Sequence, residues 1–361
     1  LDFTSAQGVA MLGHCHPALS AAIAAQASTL ISCPNFLYND VRARFAARLV
    51  EVLPPHLNHV FLANSGAEAI EAAIKLARYF GHKKGIETPT IIVMEKAFHG
   101  RTMATLSATG NRKAPAGFEP LVSGFVRVPY DDLDAIKAVA EHNHNIVAVM
   151  LEIIQGEGGI HLASAEFQKG VRQLCDEHSW LLICDEVQCG MARTGKWFGY
   201  QHAGIQPDIA TLAKGLGSGV PIGACMAGGR AAGLFGPGNH GSTFRGNPLA
   251  CTAALTTIDT IEQDGLMANA ERVGALIRKL YAEALVGIKG VVEIRGHGLM
   301  IGIELDRPCG ELVGKALAAG LLINVTADKV VRLLPPLTFS ENEAKELVDR
   351  SVPLIKAFLA G

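Results

Sequence analysis

The sequence predicts an α/β protein with a large domain on a mostly parallel sheet, followed by a smaller C-terminal α+β domain. Three observations carry this. Short apolar runs alternate with helix-length segments through most of the chain. Runs such as Leu181-Leu182-Ile183-Cys184 are apolar at every position, as in strands buried on both faces. After about Gly246 the pattern changes to long helical stretches and then closely spaced strands.

Taken in order, the first helix candidate is 17–29, which opens on Pro17, a residue suited to a first helical turn. The strand candidates are 60–63, 90–94, 125–128, 146–151, 180–184, 209–213 and 222–227. Helices are expected at 67–80, 133–141 and 165–178. Strands separated by helix-length segments imply crossover connections and hence parallel pairing. Beyond Gly246, helical patterns run from Pro248 towards Ile261 and over 269–285. Strands at 291–294 and 299–304, a shorter αβ segment and a final helix at about 342–359 complete the chain. The expected division is residues 1–30, packing with the C-terminal domain; 31–250, the large cofactor domain; and 251–361, a linking helix and the small domain. No internal repeat or low-complexity segment is present.

Composition narrows the function. A chain of 361 residues, 49% apolar and 18% charged, suits a globular enzyme of more than one domain. A formal net charge of −2 gives no reason to expect nucleic acid or an anionic membrane as partner. The run IVAVMLEII is too short to span a bilayer and carries Glu152. The eight cysteines include no CxxC pair, so a reduced, cytoplasmic setting is expected. His14-Cys15-His16 does not make a metal site, because alternate residues of an extended chain face opposite ways and no further ligand stands near. The first basic residue other than histidine is Arg42, so no secretory or transit signal is expected in the sequence as it stands.

Five segments carry chemistry. In LANSGAEAIEAAIKLARYF a strand ends and a helix begins at Ser65; Ser65-x-x-Glu68 fits a capping box, and Glu71 and Lys75 an ordinary i,i+4 pair. The free amides of Gly66 and Ala67, with the helix dipole, also make an anion seat, in which backbone rather than the Ser65 hydroxyl does most of the binding. In EKAFHGRT, Phe98 can cover one face of a flat ring and Arg101 can grip a carboxylate. In LLICDEVQ, Asp185 closes a strand, where ligands of open α/β sheets gather, and Gln188 stands three residues on. In TLAKGLGSG, Lys214 follows an apolar strand and precedes Gly215, Gly217 and Gly219. A lysine there can hold an aldehyde as a Schiff base, and a carboxylate can favour a protonated pyridine nitrogen. In HGSTFRGNPLA, Ser242 and Thr243 offer hydroxyls ahead of a helix start. Alone, each segment reads as a cap, a turn or a surface charge; Glu157 in QGEGG and Arg332 in VVRLLPPL are equally ordinary alone.

In order along one chain, LGHCHP, NSGAEA, FHGRT, QGEGG, DEVQ, LAKGLG and HGSTF resemble the class III aminotransferases of pyridoxal-phosphate fold type I, and within them the acetylornithine-transaminating branch. The resemblance implies pyridoxal 5′-phosphate as cofactor, held by Ser65, Gly66, Ala67, Phe98, Asp185, Glu186, Val187, Gln188 and Lys214. It implies Lys214 as the Schiff-base lysine that shuttles a proton between the substrate's α-carbon and the cofactor's C4′. Asp185 is the implied pyridinium partner, Phe98 the ring stacker and Gly66–Ala67 the phosphate seat. Thr243 is implied to reach the phosphate of a neighbouring subunit's cofactor, giving a homodimer with composite sites. Arg101 and Ser242 are implied substrate contacts, and Glu157 with Arg332 a switching pair, Glu157 masking Arg332 for the amino donor and freeing it for 2-oxoglutarate.

The implied reaction moves the δ-amino group of N2-acetylornithine to 2-oxoglutarate, as in arginine biosynthesis. Succinylornithine, ornithine and 4-aminobutyrate are the alternative donors. Ornithine δ-aminotransferases usually carry Trp at the position of His99, Ala at Gly158 and Tyr at Phe244. The chain departs from the family at Ile153, Cys189 and Arg245, where Pro, Thr and Gly are usual. Arg245, beside Ser242 and Thr243, is placed to alter acyl recognition or add a phosphate contact. The chain opens on Leu1, and the family normally has a further segment before it. A reading from another class, a nucleotide-binding dehydrogenase, rests on GLGSG, whose glycines follow a lysine late in the chain and lack the early GxGxxG context.

Overall fold

A computed structural model of the chain describes residues 1–111 and 114–361. Its centre is a seven-stranded sheet in the spatial order Leu57–Ala63, Gly223–Gly228, Ile209–Leu212, Leu181–Asp185, Ile146–Glu152, Thr90–Met94, Phe125–Val128. Every strand has its counterpart among the expected runs. Only Gly223–Gly228 is reversed, pairing antiparallel with both neighbours. The crossover expected before it is absent, and the reason is length: residues 213–222 hold the turn of Lys214 and no covering helix, so the chain comes straight back.

The helix Gly66–Lys83 covers one face of this sheet. Its apolar stripe is built from small residues, with Ala69, Ala72, Ala73, Ala77 and Gly81 buried beside Ile70, Ile74 and Leu76. Gly81 lies so close to the Ile146–Glu152 strand that an added Cβ would stand 2.7 Å from Val147 Cγ1. The helix Asp40–Val52, which the sequence reading left unassigned, starts at Asn39, whose side chain accepts from the Arg42 amide at 3.0 Å. It buries Phe45, Leu49 and Val52.

The second sheet is antiparallel, in the order Val291–His297, Met300–Leu305, Val330–Leu333, Asn324–Thr326. The last helix, Glu341–Ala360, opens on a complete capping box between Ser340 and Glu343. The N-terminal residues lie against this end of the molecule: Phe3 meets Phe339 edge to face at 5.4 Å, and its carbonyl accepts from the Leu334 amide at 2.7 Å.

One buried side chain ties the parts together. Arg193 is fully buried and donates to the Leu299 carbonyl at 3.1 Å, to the Pro335 carbonyl and to Met11 Sδ at 3.1 Å. No ion pair to it is found among the described residues, and burial lowers its pKa to about 9. Met11 in turn packs against Gly215, where an added Cβ would stand 2.1 Å from Met11 Cε. The N-terminal segment therefore backs the turn that carries Lys214.

Candidate active site

At the carboxyl ends of the parallel strands lies a cavity of about 410 Å³, lined by Ser65, Gly66, Ala67, Phe98, Arg101, Glu157, Asp185, Val187, Gln188 and Lys214 among others. Strand ends place these groups, because each strand stops where its apolar run stops and hands a polar residue to the rim. The first helical hydrogen bond of Gly66–Lys83 runs from the Ala69 amide to the Ser65 carbonyl, so the amides of Gly66 and Ala67 precede the ladder and are available to an anion. Val187 closes over this seat: an added Cβ on Gly66 would stand 3.0 Å from its Cγ1.

Two details of this seat differ from the sequence expectation. The Ser65 hydroxyl caps the Glu68 amide at 3.2 Å, but the Glu68 carboxylate reaches the amide and side chain of Asn64, at 2.7 and 2.8 Å, instead of Ser65. Glu71 and Lys75 do not pair. Glu71 accepts from the Thr102 hydroxyl, while Lys75 donates to the Asn239 carbonyl at 2.8 Å, because loops packed on the helix offer each a nearer partner.

Lys214 occupies a left-handed backbone conformation, φ +43°, which costs a residue with a side chain of order 1–3 kcal/mol and is sustained by the packing around it. Desolvation lowers its pKa, outweighing the attraction of Glu157, Asp185 and Glu152, so its amine loses its proton more easily than a surface lysine. Asp185, almost fully buried, makes a short pair with His99, Nδ1 to Oδ2 at 2.8 Å. Its other oxygen accepts from the Val187 amide at 3.0 Å, so the carboxylate caps the following turn while it lines the cavity. Burial alone would lower the pKa of His99, but the bond to Asp185 and the charges of Asp185 and Glu152 raise it. His99 is the functional neighbour that sequence reasoning missed; it appeared there only as a branch marker, although its place beside Phe98 put it within reach.

Arg101 lies on the cavity wall with its guanidinium 5.6 Å from the Phe98 ring centre. Arg332 is buried behind Glu157, joined to it at 2.6 Å and to the Asn324 side chain at 3.1 Å. The distant residues of QGEGG and VVRLLPPL therefore meet at the cavity's edge.

Four residues fall elsewhere. Glu186 does not face the cavity: its carboxylate accepts from the amides of Gly199 and Tyr200, at 2.8 and 2.9 Å, and from the Cys189 thiol at 3.2 Å. Burial pushes its pKa up to about 7. Neighbours on an extended backbone point to opposite faces, so Asp185 inward implies Glu186 outward. Ser242 lies outside the lining and accepts from the Asn64 side chain at 2.8 Å, while Thr243 is exposed. Arg245 turns away from the cavity and stacks on Phe61 at 4.7 Å, so within one chain it makes no contact with the site.

The donor set fits a flat, phosphorylated pyridine aldehyde. It offers an amine at one end, a carboxylate–imidazole pair at the other, an aromatic cover and helix-start amides. Gln188 Oε1 is buried without a partner among the described residues, as a group waiting for a polar ligand atom would be.

An amine that can capture an aldehyde, with a buried carboxylate across the cavity, suits an enzyme that works on amines through an aldehyde cofactor. The chain matches the family Aminotransferase class-III over residues 1–355. It is 57% identical to the acetylornithine aminotransferase of Nitrosomonas europaea, over 99% of this chain and 91% of that protein. Its structure is similar to that of an ornithine aminotransferase from Toxoplasma gondii described with PLP at partial occupancy, TM-score 0.94 and 34% identity over 99% of this chain and 86% of the other. It is similar also to an acetylornithine aminotransferase from Elizabethkingia anophelis, TM-score 0.87 and 34% identity over 99% and 89%. The chain belongs to the class III aminotransferases, and its cofactor is pyridoxal phosphate. The dehydrogenase reading is overturned by this match and by GLGSG itself, which continues the short 3-10 turn of Lys214, with Gly215 against Met11, and opens no α-helix.

Proposed function

We propose that this enzyme transfers the δ-amino group of N2-acetylornithine to 2-oxoglutarate, giving N-acetylglutamate semialdehyde and glutamate. The observation that carries the reading is the Arg332–Glu157 pair at the edge of the Lys214 cavity. A guanidinium covered by a movable carboxylate suits an enzyme whose two substrates differ by one carboxylate at that place. Similarity to acetylornithine aminotransferases along nearly the whole chain supports the donor.

Pyridoxal phosphate, when bound, supplies the aldehyde that exchanges the amine and a ring that accepts electrons. The chain supplies the rest. Gly66 and Ala67 hold the phosphate through their amides, Phe98 and Val187 enclose the ring, and Gln188 meets its hydroxyl oxygen. Asp185, oriented by His99, faces the ring nitrogen. Lys214, with its lowered pKa, takes a proton from the donor's amine-bearing carbon, Cδ, and in the second half-reaction gives one to the α-carbon of 2-oxoglutarate as it becomes glutamate. Arg101 anchors the donor's α-carboxylate, and Arg332 that of 2-oxoglutarate once Glu157 has moved aside.

A homodimer with composite sites is part of the same proposal. Phe36, Leu37, Tyr38 and Ile31 are exposed together with Phe244, and Asn35 donates to the carbonyls of Ser242 and Thr243. An apolar surface of this kind calls for a partner, and a second copy would bring Ser242 and Thr243 to a neighbouring cavity. The proposed division is residues 1–30, a segment packing with the C-terminal domain; 31–250, the large cofactor domain; and 251–361, the linking helix and small domain. All eight cysteines are free, as the proposed reduced, cytoplasmic setting requires; no helix described is long and apolar enough to cross a membrane.

The test is single-turnover half-reactions with acetylornithine, succinylornithine, ornithine and 4-aminobutyrate. Acetylornithine should be fastest at limiting substrate. A wide preference for ornithine or 4-aminobutyrate would overturn the proposed donor.

A further inference from the structure

We propose that Glu152 is a positioning residue of this transamination site, a single carboxylate that fastens the loop carrying Phe98 to the loop carrying Glu157. The inference rests on the function proposed above and deepens it, because it joins the ring cover to the substrate gate.

Glu152 ends the strand Ile146–Glu152 and is the ladder partner of Asp185 on the neighbouring parallel strand. Both side chains are buried, at 6% and 4% exposure. Two carboxylates side by side in a sheet repel, so the arrangement needs a compensating role. One oxygen of Glu152 accepts from the Phe98 amide at 2.8 Å and the other from the Gly156 amide at 3.1 Å. The first bond holds the residue that covers the ring. The second holds the residue just before Glu157. The Tyr130 hydroxyl pins the strand end from behind, donating to the carbonyls of Glu152 and Ile153 at 2.9 and 2.8 Å.

Only an ionised carboxylate offers acceptors at both places, since an amide of the same length presents an NH₂ group to one of the two amides. Burial and Asp185 push the Glu152 pKa up to about 7, while the charge of His99 pulls it down. The groups acting on it, or acted on by it, are His99, Asp185, Tyr130, Cys189 and Lys214. Because this acceptor lies in the wall of the cavity, its loss is felt at the ring and at the gate together.

The experiment compares Glu152→Gln with Phe98→Leu and Glu157→Gln in the full chain. The readouts are the dissociation constant of pyridoxal phosphate, the visible circular dichroism of the bound cofactor, and the selectivity between glutamate and acetylornithine in single half-reactions. Glu152→Gln should weaken cofactor binding by about tenfold, as expected for one charge-assisted bond, alter the dichroism and also shift selectivity. Phe98→Leu should move only the cofactor readouts, and Glu157→Gln only selectivity. Glu152→Ala, which loses both bonds, should exceed Glu152→Gln on both counts if it folds, and the Gln variant decides if it does not. A Glu152→Gln protein with a lower melting temperature but wild-type cofactor affinity, dichroism and selectivity overturns the proposal, as does a change in one readout alone. A wild type that binds no pyridoxal phosphate would instead overturn the function on which the proposal rests.

Discussion

Replacing Glu157 by Gln should reverse the enzyme's preference between its two kinds of substrate. Arg332 is 1% exposed and loses its only carboxylate among the described residues, keeping the Asn324 side chain at 3.1 Å. The loop itself should stay in place, because the Thr326 hydroxyl donates to the Glu157 carbonyl at 2.6 Å, a bond independent of the side chain. A charge-assisted hydrogen bond is worth about 1.5–3 kcal/mol, and the 35% exposure of the Glu157 side chain places this one at the lower end. A dicarboxylate substrate that no longer has to displace Glu157 should therefore gain about tenfold in kcat/KM. Acetylornithine should lose by a similar factor, since the guanidinium, its charge no longer balanced, would draw its carboxylate to the wrong end of the site. The glutamate-to-acetylornithine ratio then shifts by roughly a hundredfold, the product of the two effects. Stopped-flow absorbance of each half-reaction measures the ratio directly. A ratio within twofold of the wild type would refute the gate, and so would an equal fall in both halves.

Lys214→Met should abolish turnover and the borohydride-sensitive absorbance near 420 nm, yet make the cofactor-free protein more stable. Its lowered pKa means the charged amine is disfavoured in the folded state, so the gain should be absent above the ordinary lysine pKa and grow as pH falls until the lowered pKa is passed. Melting temperatures of the cofactor-free proteins across pH check this, and a variant less stable at every pH would contradict it. Gly81→Ala should destabilise the protein by about 1–3 kcal/mol through overpacking against Val147 and Pro89, less up to about 1 kcal/mol of helix propensity. Denaturant titration reads the net change, and a stabilised variant would show that the helix can move away from the sheet at no cost.

Much of the site was legible because chemistry sits where patterns end. Lys214, Asp185 and Ser65 each stand at the end of an apolar run, and a strand end is where a buried sheet delivers a polar group. Glu186 was misplaced because neighbouring letters were read as neighbouring functions, whereas the backbone's alternation turns it to Gly199 and Tyr200. The place of Arg245 was not legible for a different reason: within the chain the ring of Phe61, distant in sequence, takes its guanidinium. The reversed strand Gly223–Gly228 was detectable in principle, since no crossover helix fits between it and its neighbour.

By itself the sequence carried the family and the cofactor, through the order of its motifs, and the sheet, through its apolar runs, because both are local properties of the chain. Tertiary structure alone decided which groups act together. His99 pairs with Asp185, Glu157 covers Arg332 and Glu152 joins two loops through contacts between residues far apart in sequence. Hydrogen bonds and ion pairs act over about 3 Å, and only the packed sheet sets which side chains come that close.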